Sequence, residues 1–306
     1  MGSGAEGDRS PSRPATTGVA ERRQRLLTDL PGMKARGDRI AMVTAYDYPG
    51  AQLVDRAGVD VVLVGDTAAM TVLGYPSTVP VSVDELLVLV RAVRRGLHHA
   101  LLIGDLPFGS YEVSDEQAVA TAVRFVKEGG CDGVKLERGA GTSAQRARAI
   151  VAAGIPVMGH IGLTPQTAGA LGGYRVQGRD SDAAMRLGRE LRDLEGAGCF
   201  AVVLEAVPGI AADALTRFSA VPTIGIGAGA GTDGQVLVYH DLLGLTKGPR
   251  FAPAFADLDS AAYAGLSAYV DQVRAGEFPA REHTYDAAPD IASELESFMR
   301  KTSAVL

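Results

Sequence analysis

Four acids and one histidine each close a short apolar run. Asp66 follows residues 61–65 (VVLVG), Asp105 follows 100–104 (ALLIG), and Glu137 follows 133–136 (GVKL). His160 follows 155–159 (IPVMG), and Glu205 follows 200–204 (FAVVL). If those runs are parallel strands of one barrel, the five groups share its C-terminal rim, where catalytic residues of such barrels sit. Carboxylates crowded there repel one another unless a cation or a shared proton intervenes. A divalent metal is the simplest resolution, so the first expectation is a metal-assisted enzyme. Asp66 and Asp105 suit Mg²⁺, which takes hard oxygen donors and binds through one or two carboxylates while keeping waters. Glu137 stands close enough to join directly or through a water.

Lys135 lies two residues before Glu137, which puts both side chains on one face of a strand. A lysine facing a barrel interior is costly unless it meets an anion. Three partners remain open: a substrate carboxylate, an ion pair with Glu137, or a carbonyl in a Schiff base. His160 would bind the substrate carboxylate or orient a ligand. Glu205, across the rim, reads as a general base or as a cap on the loop before Pro208. His98, His99, His240 and His283 lie at helix ends or turns and read as structural, with His98 and His99 solvated. The run 225–229 (GIGAG) lacks the Lys-Ser/Thr of a P-loop and completes no dinucleotide fingerprint. It reads as a floor for close approach of a bulky ligand.

The elements that must position these groups alternate. Strands are expected near 40–46, 60–65, 100–105, 131–137, 155–160, 200–205, 221–226 and 235–239. Helices are expected near 49–57, 82–96, 115–129, 142–153, 183–197 and 209–218. This rhythm predicts βαβ units and a parallel sheet. The 306 residues, 46% hydrophobic, suit one α/β barrel of about 250 residues with tails. The expected division is a disordered tail over 1–20, a catalytic barrel over 21–285 and a helical extension over 286–306. Helices near 259–275 and 288–301 read as barrel-closing and C-terminal packing elements. Two long connections, 66–80 and 162–182, follow rim strands and should cover the same face. Within the second, 172–179 (GGYRVQGR) has glycine hinges and reads as a lid or a plain surface loop.

Composition excludes some classes. A net charge of −6 offers no general attraction to nucleic acid or anionic lipid. No apolar stretch reaches the ~18 residues of a membrane span. Cys131 and Cys199 lack CxxC partners and read as buried hydrophobes in a reducing, cytoplasmic protein.

At these residues the chain resembles the ketopantoate hydroxymethyltransferase family. The resemblance is carried by 42–48 (MVTAYDY), 63–66 (LVGD), 105–111 (DLPFGSY), 159–166 (GHIGLTPQ), 172–179, 225–229 and 233–235 (DGQ). It implies a (β/α)8 TIM barrel of the isocitrate lyase and phosphoenolpyruvate mutase type. It implies transfer of a one-carbon unit from 5,10-methylenetetrahydrofolate to a 2-oxo acid, 3-methyl-2-oxobutanoate, in pantothenate synthesis. By position it puts the Mg²⁺ acids on Asp66, Asp105 and Glu137. Substrate binding falls on Asp66, Thr67, Asp105 and Lys135, with His160 close by, and the proton acceptor on Glu205. It further implies a homo-oligomer, a decamer in the family. Thr67 stands where serine is usual, Ala68-Ala69 replaces a Leu-Gly pair, Arg138 replaces a glycine, and Ala206 replaces a larger residue. These departures leave every reactive group in place and bear on which 2-oxo acid enters.

The expected mechanism has Mg²⁺ chelating the 2-oxo acid, Lys135 and His160 holding its carboxylate, and Glu205 assisting removal of the C3 proton. Three alternatives stand beside it. A paralogue would act on another 2-oxo acid. A metal-dependent C–C lyase of the same superfamily would carry a Lys-Lys-Cys-Gly-His motif, which is absent here. A Schiff-base aldolase would use Lys135.

Overall fold

The computed structural model describes residues 23–139 and 141–303, so the tail expected over 1–20 lies outside the described residues. The chain divides into two compact units, Met1–Phe255 and Ala256–Leu306. This division falls before the helix near 259–275, whereas the sequence reading carried the barrel to residue 285.

The first unit is a closed barrel of eight parallel strands in sequential order. They are β1 (Ile40–Thr44), β2 (Val61–Val64), β3 (Leu101–Asp105), β4 (Gly133–Lys135), β5 (Val157–Gly162), β6 (Ala201–Glu205), β7 (Thr223–Ile226) and β8 (Gly234–Leu237). The helices of this unit are α1 (Asp29–Arg36), α2 (Tyr48–Ala57), α3 (Ala68–Thr71), α4 (Val83–Gly96), α5 (Asp115–Lys127), α6 (Thr142–Ala152), α7 (Ser181–Ala197), α8 (Gly209–Phe218) and α9 (Tyr239–Leu242). The second unit holds α10 (Leu258–Ala275) and α11 (Ile291–Ser303).

Two apolar layers explain the continuous runs. Val61 and Leu63 of β2, Leu101 and Ile103 of β3, Met158 of β5, and Ala201 and Val203 of β6 belong to the cluster inside the barrel. Their strand neighbours Val62, Val64, Leu102, Val134, Val157 and Val202 pack outward with helix residues such as Leu86, Phe125 and Leu194. Both faces are therefore buried, as parallel sheets require. Leu30 and Met33 of α1, an element the sequence reading missed, join the inner cluster. At Gly104 the outer layer has no room: an added Cβ would lie 2.4 Å from Phe125 of α5.

The helix starts follow local chemistry. Ser82 and Glu85 form a reciprocal capping box on α4. Ser114 caps α5 by accepting from Gln117 N. Asp55, buried at the end of α2, accepts from the main-chain N–H groups of His98, His99 and Ala100 at 3.2, 2.9 and 2.9 Å. Burial pushes its carboxyl up, but these three donors outweigh it and hold it below the usual range. Asp55→Ala is expected to lose about 2–4 kcal/mol in denaturant unfolding, because charged hydrogen bonds are replaced by orphaned donors. Because the folded group ionises more easily than the unfolded one, this stability is present above about pH 4. It fades as pH falls through the lowered folded value, so the gap between variant and parent should narrow in acid, with the part due to the orphaned donors remaining.

Cys131 and Cys199 are free and buried, and burial pushes each thiol up to about 12. Both are buried, as expected from sequence. His98 is exposed, as read, but His99 is half-buried beneath the start of β3. Among the described residues, no helix is long and apolar enough to cross a membrane.

Candidate active site

Alternation along the strands decides which groups face inward. In β3 the inner positions are Leu101 and Ile103, so Asp105, two further on, also points in. The same step carries β4 through Gly133 and Lys135 to Glu137, β5 from Met158 to His160, and β6 through Ala201 and Val203 to Glu205. Asp66 breaks this parity. It lies past the end of β2, where the turn through Gly65 into α3 redirects it. All six groups line one small cavity of about 50 Å³, together with Thr67. Its remaining wall is largely apolar, with Leu63, Val203, Ile226, Val236 and Val238.

Asp105 and Lys135 are register partners on adjacent strands, and the Lys135 ammonium lies 2.8 Å from Asp105 Oδ1. Glu137 Oε1 is farther, at 3.9 Å, so Asp105 and not Glu137 is the main partner. Burial pulls the Lys135 ammonium down, but Asp105, Glu137 and Asp66 together raise it well above its ordinary value. A lysine held charged in this way is a poor imine-forming nucleophile, which weighs against the Schiff-base alternative.

Asp66 and Asp105 carry the surplus negative charge. Burial, then Asp105, then Glu137 push the Asp66 carboxyl far above its usual range. Burial also raises Asp105, and Lys135 only partly offsets it. Their link is direct: Asp66 N donates to Asp105 Oδ2 at 3.3 Å. Glu137 differs. Burial would raise it too, but His160, Lys135 and the N–H of Gln166 bring it below its usual value.

His160 joins the two sides of the cavity. Its Nδ1 is 3.5 Å from Glu137 Oε1 and its Nε2 is 3.2 Å from Glu205 Oε2. Burial and Lys135 lower its basicity, but Glu137 and Glu205 prevail and raise it to about 9. The two carboxylates favour a protonated ring, while the Lys135 ammonium, 3.5 Å from Nδ1, opposes it. The stabilisation from the protonated ring is complete below about pH 6.5, the unfolded value, and is lost as pH rises through about 9.

A divalent cation fits this donor set in a limited way. Among the described residues, no three His, Cys, Asp or Glu side chains converge as a ready metal cage. Mg²⁺ does not need one: two carboxylates, waters and substrate oxygens complete its octahedron. Asp66 and Asp105 form such a pair, and their mutual repulsion is what a cation would relieve. Glu137 is engaged by its neighbours and stands beside the pair.

Backbone strain marks the rim. Among non-glycine residues, Arg138 (φ 74°) and Ala206 (φ 49°) adopt left-handed conformations directly after Glu137 and Glu205. Arg138 N donates to His160 O at 2.8 Å, and Ala206 N to Ile226 O at 2.9 Å. Such bonds hold a conformation that costs about 1–2 kcal/mol for a residue with a Cβ. The glycine-hinged segment 172–179 is tied to the same rim, since Gln177 N donates to Ala206 O at 2.9 Å. Burial, and then the charges of Asp66, Glu205 and Glu137, raise the Tyr174 phenol of that segment.

Two residues that sequence reasoning left without a role also meet here. Gln166 and Tyr111 are buried and hydrogen-bond to each other at 2.7 Å. Gln166 reaches both Asp66 and Glu137. Neither ends a strand, so alternation does not point to them; the signal that could have found them is that each closes a stretch carrying the family resemblance, 105–111 and 159–166.

Comparison with known proteins bears on identity. The family model for ketopantoate hydroxymethyltransferase matches residues 24–281. A 3-methyl-2-oxobutanoate hydroxymethyltransferase of Moorella thermoacetica is 53% identical over 269 residues, covering 87% of this chain and 100% of that protein. One of Desulfotalea psychrophila is 50% identical over 269 residues, covering 87% and 96%. Among solved structures, a phosphoenolpyruvate phosphomutase from Streptomyces platensis subsp. rosaceus superposes with a TM-score of 0.57 at 15% identity, covering 91% of this chain and 97% of that one. The last likeness is one of fold alone, a closed barrel of eight strands.

Proposed function

The chain belongs to the ketopantoate hydroxymethyltransferase family, and on that premise we propose that it moves a hydroxymethyl group from 5,10-methylenetetrahydrofolate to C3 of 3-methyl-2-oxobutanoate. The product would be 2-dehydropantoate, for pantothenate and coenzyme A synthesis. The observation that carries the reading is the opposition of an acid pair with surplus charge, Asp66 and Asp105, to Glu205 across one cavity.

Asp66 and Asp105 would hold Mg²⁺, with Glu137 contributing directly or through a water. Bound there, the cation supplies Lewis-acid polarisation of the 2-oxo carbonyl. Lys135 offers its ammonium to the substrate carboxylate, with His160 beside it. Thr67 brings a hydroxyl to the same end of the cavity. The apolar wall of Leu63, Val203, Ile226, Val236 and Val238 suits the branched methyl groups at C3. Glu205 accepts the C3 proton, and the contact with His160 holds the carboxylate in place. The released electron pair at C3 forms a bond to the folate methylene carbon as one of that carbon's two C–N bonds breaks. Water then displaces the second nitrogen and supplies the hydroxyl; the two folate nitrogens take up the proton from C3 and one from water, and tetrahydrofolate leaves. A cytoplasmic homo-oligomer is part of this reading, supported by the family resemblance.

The test is a transfer assay with both substrates. With Mg²⁺ the enzyme should form 2-dehydropantoate, and EDTA should reduce the rate by about a hundredfold or more, the scale of lost electrostatic stabilisation. Full activity after exhaustive chelation would refute the cation assignment.

A further inference from the structure

Gln166 sits in the 3₁₀ turn Pro165–Thr167 after β5, and it is 4% exposed. Its main-chain N donates to Glu137 Oε2 at 3.0 Å. Its side-chain Nε2 donates to Asp66 Oδ2 at 2.9 Å and to Leu106 O at 2.9 Å. Its Oε1 accepts from the Tyr111 hydroxyl at 2.7 Å, and that hydroxyl accepts from Glu137 N at 3.3 Å.

These partners leave the amide one orientation. The Leu106 carbonyl can only accept, so the NH₂ group must face it. The oxygen must then face Tyr111, whose own proton is committed to it. Both amide protons are used, one on Leu106 and one on Asp66. A single residue thus grips Asp66 with its side chain and Glu137 with its main chain, while Tyr111 keeps the side chain from turning over.

We propose that Gln166, locked by Tyr111, is a positioning residue for the cation site formed by Asp66 and Asp105. By holding Asp66 Oδ2 it fixes the carboxylate plane and leaves the other oxygen for the cation. Through its N–H it also keeps Glu137 at a set place beside the pair. This inference rests on the cation reading above and deepens it. Outer partners that orient metal-binding groups are typically worth 10–100-fold in metal affinity. Tyr111 acts at one further remove, so its effect should be smaller and should depend on Gln166.

The experiment is a Mn²⁺ titration followed by the EPR signal of the free ion, without either substrate. Gln166→Met keeps the length and apolar bulk of the side chain but removes its three hydrogen bonds, to Asp66, Leu106 and Tyr111. It is expected to bind Mn²⁺ about 10–100-fold more weakly, with KM for the 2-oxo acid at saturating cation changed far less. Tyr111→Phe should shift affinity in the same direction by a smaller factor, and should add nothing in the Gln166→Met background. A purely structural role would lower the unfolding temperature and leave Mn²⁺ affinity alone. Wild-type affinity in folded Gln166→Met would overturn the proposal. Should that variant not fold, Tyr111→Phe decides, and unchanged affinity there overturns it. If the wild-type enzyme bound no Mn²⁺, the cation reading itself would fall, an outcome distinct from equal binding by parent and variant.

Discussion

Asp66→Asn is expected to cost at least about a hundredfold in kcat/KM while making the cation-free protein more stable. The two effects share one cause. Asp66 is buried, and Asp105 and Glu137 add to the penalty on its charge. An amide of the same shape keeps a group for Gln166 to donate to and removes the repulsion, but it also removes half of the cation pair. The sign with pH follows. An acid whose folded value is raised above the unfolded ~3.9 penalises the fold above that pH, and increasingly so up to the folded value. In EDTA the variant should therefore match the parent at about pH 3 and exceed it in unfolding temperature at neutral pH. Asp105→Asn should gain less or nothing, because it also removes the nearest partner of Lys135, at 2.8 Å, and leaves that ammonium with Glu137 at 3.9 Å. Circular-dichroism melts with matched kinetics separate the two variants, and activity retained in Asp66→Asn would contradict the site.

Glu205→Gln is the second large effect. Removing a positioned general base costs about 10²–10⁴-fold, and the loss should fall on kcat with KM for the 2-oxo acid nearly unchanged, since Lys135 and His160 remain to hold the carboxylate. A loss confined to KM would instead make Glu205 a binding residue. The variant should also shift His160. Glu205 lies 3.2 Å from its Nε2 and helps raise it to about 9. With a neutral amide there, the imidazole should titrate at lower pH by NMR.

Much of the barrel could be read from the chain. Runs such as Val61–Val64 have both faces buried, so they appear in sequence as unbroken apolar stretches with a polar residue at the end. For Asp105, Lys135, Glu137, His160 and Glu205 the step of two along a strand already implies a common inner face. Asp66 shows the limit of that rule, since only the turn after Gly65 brings it inward. Gln166 and Tyr111 close two of the stretches that carry the resemblance, but they sit in loops, where no period predicts direction, so no role could be read for them. Helix α1 was missed for a local reason: Pro31-Gly32 reads as a turn, although a proline in a first helical turn is tolerated. The helix Leu258–Ala275 was legible, but its periodicity did not tell which compact unit it joins. In the sequence Lys135 and Glu137 look like natural partners, two residues apart. Across the sheet, register gives Lys135 to Asp105 instead.

The most direct measurement is proton–deuterium exchange at C3 of 3-methyl-2-oxobutanoate, followed by NMR in D₂O without any folate. It isolates the step in which an acid pair, a cation and Glu205 must act together. The expected result is rapid exchange with Mg²⁺, abolished by EDTA and by Glu205→Gln. Exchange that continues undiminished after chelation, or in Glu205→Gln, would contradict cation-assisted deprotonation in this cavity.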